Sequence, residues 1–284
     1  MNKTKIEQLE FSWNPIAMRC TPVSEGCANC WHLRTANRLA CNPQFTDEVR
    51  AAYAGEGPPV LVPSRLEDPL KRKKPSMIGV QWMGDLFHED IPEQFIYQIF
   101  DVATKINHHT FQFLTKRPVR MEEVTKDYCL HREIRQMPDN VWGLVTTENQ
   151  ETADYRIPIL LQCPFRTLGV SIEPMLGSIK LNPYKWLPCN YYKHGSCVEQ
   201  LQGAAFKSYG PPRLDWVVVG GESGSGARPM DPDWVRSLRD QCKESGVPFF
   251  FKQGSAANWD NYKDFGSFPP DLQIRQYPYS HSPS

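Results

Sequence analysis

Short apolar runs recur along this chain, each closing on a polar or charged residue and each leading towards helical spacing. Met77 to Met83 reads as a strand ending at Gly84-Asp85, and Pro92 to Ile106 as a helix with Phe95, Ile96, Ile99, Phe100 and Ala103 on one face. Phe111 to Leu114 runs into Thr115-Lys116-Arg117, Val141 to Val145 into Thr146-Thr147-Glu148, and Thr167 to Ile172 into Glu173. Trp216 to Val219 leads to Gly220-Gly221-Glu222 and then to a helix from Pro232 to Ser245, with Asp231 before it and Gly246 after it. Phe249 to Phe251 ends at Lys252-Gln253. Apolar strands alternating with helices predict a parallel sheet buried on both faces. The unbroken rhythm predicts an α/β fold, a partial or complete (β/α) barrel of about six to seven parallel strands.

In such a barrel the active site gathers at the carboxyl ends of the strands. Those ends carry Asp85, Lys116, Arg117, Glu148, Glu173, Glu222 and Lys252, an ionisable group at nearly every one. Ahead of the barrel, Ala28 to Cys41 reads as a helix, Val60 to Val62 as a short strand, and Leu66 to Lys74 as a helix ending in a basic run on a solvated face. The segment 182–213 interrupts the rhythm as an insertion. Its Cys189, His194 and Cys197 show three donors that a second metal such as zinc could use, short of a full set of four. Residues 1–268 are expected to form one domain, and 269–284 a loosely ordered Pro-, Ser- and Tyr-rich tail.

Charge changes this picture little: 32 basic residues balance 32 acidic ones, so contact with a polyanion would need a local patch. Nine cysteines, an odd number, and no apolar segment after Met1-Asn2-Lys3-Thr4-Lys5 predict a reducing cytoplasm and thiols used for metal or chemistry. No apolar run reaches the roughly 18 residues of a membrane span, so no membrane partner is expected.

The most informative chemistry precedes the barrel. Cys20, Cys27 and Cys30 stand at C-x6-C-x2-C with no fourth cysteine nearby, and Gly26 lets the loop curl before Cys27. Three thiolates without a local fourth ligand suit a three-ligated iron–sulfur cluster with a free iron, or an incomplete zinc site. Gly220-Gly221-Glu222-Ser223-Gly224-Ser225-Gly226 lacks the Lys-Ser/Thr of a Walker A loop, and the helix after it starts too late for a dinucleotide fingerprint. Its glycines would let backbone N–H groups approach an anion, and Glu222 would take an ammonium or a ribose hydroxyl.

A three-cysteine loop ahead of a (β/α) barrel with acidic and glycine-rich strand ends resembles the radical S-adenosylmethionine superfamily. More closely, the chain resembles an uncharacterised phage-associated three-cysteine-motif family. The shared blocks are Trp13-Asn14-Pro15, Gly26-Cys27-Ala28-Asn29-Cys30, Gly84-Asp85-Leu86-Phe87-His88, Leu114-Thr115-Lys116-Arg117-Pro118, Ile172-Glu173-Pro174-Met175-Leu176-Gly177, Val219-Gly220-Gly221-Glu222-Ser223-Gly224 and Phe251-Lys252-Gln253.

The resemblance implies a 4Fe-4S cluster on Cys20, Cys27 and Cys30, with S-adenosylmethionine chelated by the free iron and cleaved to a 5′-deoxyadenosyl radical. A reducing partner of flavodoxin or ferredoxin type is implied as well. Asp85 would meet the methionine amino group, with Glu173, Gly220, Gly221 and Glu222 around the cofactor. Lys116, Arg117, Glu148 and Lys252 are the candidate catalytic residues, and the three cations suggest a nucleotide or nucleic-acid base as substrate, for modification or repair. Two departures stand out. The first gap holds six residues rather than the superfamily's three, and Asn29 takes the place of an aromatic residue, with Trp31 following the last cysteine. The alternative is a zinc-binding barrel acting as a metal hydrolase or a phage-associated interaction module, although the histidines form no H-x-H or H-E-x-x-H pattern.

Overall fold

The computed structural model describes residues 1–182, 185–186 and 213–278. Its sheet starts with β1 (Asn2–Lys3), antiparallel to β2 (Phe11–Trp13). A separate two-stranded ribbon pairs β3 (Ile16–Ala17) with β4 (Val60–Leu61). The main sheet continues through β5 (Met77–Val80), β6 (Thr110–Thr115), β7 (Val141–Thr147), β8 (Thr167–Ile172), β9 (Trp216–Gly220) and β10 (Phe249–Gln253). The strand order is β1-β2-β5-β6-β7-β8-β9-β10, and every pairing from β2 to β10 is parallel. The chain is therefore a mixed α/β protein with a mostly parallel eight-stranded sheet. Among the described residues no backbone ladder joins its two ends. The order never reverses, so there is no switch point of the doubly wound kind.

The helices are α1 (Trp31–Ala40), α2 (Asp47–Ala54), α3 (Glu93–Lys105), α4 (Pro118–His131), α5 (Gln150–Leu160) and α6 (Pro232–Ser245). Their ends are chemically marked. Asn149 and Thr152 form a reciprocal capping box on α5, and α6 starts behind Asp231 and stops at Gly246 with φ +70°.

Strand residues divide by parity between two apolar faces. Ile78, Phe111, Phe113, Val170, Val217 and Phe251 pack with helix residues such as Ile96, Ile99, Ile157 and Leu238. Met77, Trp142, Leu144, Trp216, Val218 and Phe250 form a second cluster on the opposite face, to which no described helix contributes a residue. Trp216 is its hub, edge-on to Trp142 at 5.6 Å and to Phe250 at 5.8 Å, and stacked on Tyr277 at 5.5 Å. Fully burying such side chains is worth about 1.5–3 kcal/mol each.

The strand from Thr167 to Ile172 and the helix from Pro232 to Ser245 match the sequence reading, and other boundaries move by one to three residues. Leu66–Lys74 does not form the expected helix. Short 3-10 turns at Pro63–Arg65 and Pro69–Lys71 stand there, because the two prolines bring no N–H donor to extend a helical ladder. Residues 269–278 also depart from the loose tail expected from Pro269. Leu272 is fully buried, and Phe251 N and Gln276 N bond to Ile274 O and Phe249 O along the outer edge of β10. That stretch is fixed by backbone pairing, which has no apolar period to read. Cys189, His194 and Cys197 lie outside the described residues.

Candidate functional site

The loop from Cys20 to Cys30 crosses the carboxyl ends of β6, β7 and β9, fastened by side chains from each. Arg117, just past β6, donates from Nη2 to Thr21 O at 3.1 Å and Thr21 Oγ1 at 2.6 Å, while Nη1 lies 3.7 Å from Cys20 Sγ. At β7, Ser24 Oγ donates to Glu148 Oε1 at 2.8 Å. At β9, Asn29 Nδ2 donates to Glu222 Oε2 at 3.0 Å and to Gly226 O at 2.7 Å, and Arg228 bridges Glu222 at 2.7 Å and Glu25 at 3.0 Å. Gly26 is needed for close approach, since a Cβ there would overlap the Glu148 side chain.

The carboxylates at the strand ends are engaged rather than free. Asp85 accepts from Thr115 Oγ1 at 2.7 Å, Phe87 N at 3.0 Å and Arg117 Nη1 at 3.3 Å. Glu148, 0 % exposed, is paired with Lys116 and lies 3.2 Å from Arg156 Nη1. Burial would raise its carboxyl, but Lys116 and Arg156, with the Lys116 and Ser24 hydrogen bonds, hold it below the ordinary glutamate value. Burial likewise works against ionised Glu222, and hydrogen bonds from Arg228 and Asn29 outweigh it. Glu173 pairs with Lys252 across the strand between them, and Gly220 on that strand has no side chain to obstruct the bridge. Every candidate cation is thus matched: Lys116 to Glu148, Arg117 to Asp85 and Glu89, and Lys252 to Glu173.

The glycine-rich loop meets α1. Arg34 donates to Ser223 O at 2.9 Å and Ser225 O at 3.1 Å, so carbonyls of this loop face the cysteine helix. Gly221 sits against β10's exit, where a Cβ would lie 2.5 Å from the Ser255 backbone nitrogen.

Cys20, Cys27 and Cys30 are free thiols lining one cavity of about 170 Å³, together with Asp85, Glu173 and Glu222. Burial, reinforced by Asp85, pushes the Cys20 thiol up to about 12. His32 Nε2 accepts from Cys20 N at 3.3 Å, and burial holds this ring down at about 4, hence neutral. Among the described residues no three His, Cys, Asp or Glu side chains are drawn together tightly enough to hold a metal ion. Zinc places its sulfur ligands about 2.3 Å from one centre, whereas an iron–sulfur cube spreads them around several irons. The donor set, three thiols on one cavity wall, fits the cube in chemistry. The cavity is smaller than the roughly 300–1,000 Å³ of drug-sized pockets.

Asp85, Lys116, Arg117, Glu173, Glu222 and Lys252 therefore line one cavity, and Glu148 lies beside it, bonded to Lys116 and Ser24. Sequence reasoning missed Ser24, Asn29, Arg34, Arg156 and Arg228, which fasten the loop. The one signal was Asn29 itself, a polar residue between two cysteines; Trp31 stands 41 % exposed on the cavity wall.

A family model described as "Protein of unknown function (DUF5131)" matches residues 3–267, and the chain belongs to this family. No curated protein and no solved structure matches it. No helix of the described residues is long and apolar enough to cross a membrane.

Proposed function

We propose that this protein is a radical S-adenosylmethionine enzyme whose site lies at the carboxyl mouth of a partial (β/α) barrel. One observation carries the reading: Cys20, Cys27 and Cys30 line a single cavity over the ends of parallel strands that follow one another in chain order. The barrel form is supported by the strand order, in which each strand from β2 to β10 lies parallel to its neighbour and the order never reverses.

When bound, a 4Fe-4S cluster with S-adenosylmethionine supplies a 5′-deoxyadenosyl radical for hydrogen abstraction, given an electron from a flavodoxin- or ferredoxin-type partner. The chain's own residues do the rest. The three cysteines bind, and Glu148, Glu222 and Arg117 hold their loop over the mouth. Asp85, paired with Arg117, offers a carboxylate to an ammonium group. Glu173, Gly220 and Gly221 line the side facing Lys252.

Anaerobic reconstitution, iron and sulfide analysis, and EPR with and without S-adenosylmethionine test the reading. About four irons per chain, lost in Cys27→Ala, and a signal that changes with S-adenosylmethionine are expected. Zinc alone, or no metal after reconstitution, overturns it.

A further inference from the structure

Beneath the mouth, the face of the sheet that bears the Trp216 cluster also carries a polar floor that neither the cysteines nor the loop fastenings use. Ser171 on β8 is 1 % exposed and lines the cavity, yet its Oγ has no hydrogen-bond partner among the described residues. Its register partner on β7 is Thr146, which lines the same cavity. Leu114 and Trp82 complete the apolar side, and the Lys252–Glu173 pair closes the other. A buried hydroxyl without a partner costs about 1–3 kcal/mol, so folding alone gives no reason to keep one here.

We propose that this floor binds an uncharged planar heterocycle of the nucleobase type, and that it does not bind through phosphate. The inference rests on the radical-enzyme reading above for its role as substrate site. Two observations support the class. The cations at the mouth are each matched by a carboxylate, so a phosphate would have to displace one of them. The cavity walls offer an indole, Trp82, for a ring face and hydroxyls for ring-edge donors and acceptors.

Calorimetry on the full chain, titrated with each of the five common free bases and with the matching nucleoside 5′-monophosphates, tests the proposal. The expected result is saturable binding of at least one base, no tighter binding of its monophosphate, and about tenfold weaker binding by Ser171→Ala. Ser171→Ala should melt at or slightly above the parent temperature, a result that a purely structural hydroxyl would not give together with lost binding. Binding should persist when S-adenosylmethionine is present in excess. Absence of base binding, a monophosphate that binds more than about tenfold tighter, unchanged affinity in Ser171→Ala, or full competition by S-adenosylmethionine each overturns it. Base binding without an iron cluster would retain the floor and remove the radical reading. A responsive cluster without base binding would do the reverse.

Discussion

The two ends of this sheet treat buried charge in opposite ways. At the carboxyl ends, Glu148 is fully buried yet held ionised by Lys116 and Arg156. At the amino ends one face is filled by Trp142, Trp216, Phe250 and Tyr277, and Asp215, just before β9, is pushed up to about 6 by burial, against the Leu168 N–H bond. One end withstands its burial by packing rings. The other keeps charges in a dry place by pairing each with its opposite, which costs desolvation and is retained where chemistry or specificity needs it.

The contrast can be broken most forcefully at the aromatic end. Trp216→Ala should cost about 3–5 kcal/mol in denaturant unfolding, because its ring touches three neighbours, while cluster loading by the surviving folded protein should be unchanged. A comparable loss of iron binding would mean that the ends are not separable. Glu148→Gln should cost about 3 kcal/mol, since Lys116 and Arg156 lose their shared partner, and should also loosen the cysteine loop to proteolysis. The pH sign follows from the depressed carboxyl. Its stabilisation is complete above the ordinary value of 4.5 and is lost as pH falls towards the lower folded value. Melting curves across that acid window should be steep for the parent and flatter for Glu148→Gln.

Gly26→Ala should cost about 1–3 kcal/mol and reduce iron incorporation, because the added methyl overlaps Glu148 and displaces Cys27. Iron content equal to the parent would show that the loop tolerates the shift. The smallest effect belongs to Asp215→Asn. A carboxyl with a raised folded value contributes stability at low pH that is lost as pH rises through about 6. The substitution should therefore gain about 1 kcal/mol at alkaline pH and nothing in acid, read from melting temperatures at the two extremes.

Much of the parallel strand order was legible because β5, β7 and β9 carry apolar residues on both faces, the pattern of buried parallel strands. The β2 strand, Phe11–Trp13, and the β1 strand, Asn2–Lys3, are too short to show a period, and α2 hides in a polar stretch behind its Thr46 cap. The strand-end residues were legible as a group because position on a sheet follows from the strand. Their pairings were not. Which cation reaches Glu148 depends on α5 returning Arg156 beneath it, and Glu222 finds Asn29 only because α1 docks on the glycine loop. Such contacts are set by tertiary geometry between segments 8 to 193 residues apart, which local pattern cannot encode.

The strip from Ile274 to Gln276 has a practical consequence for anyone cutting this protein down. It saturates the outer backbone groups of β10, and Gln276 O accepts from the Trp216 indole at 2.8 Å. A fragment ending at residue 267, where the family match stops, would bare that row of donors and acceptors. An uncovered strand edge recruits other chains, so such a fragment would precipitate as stacked sheets while retaining every residue of the mouth.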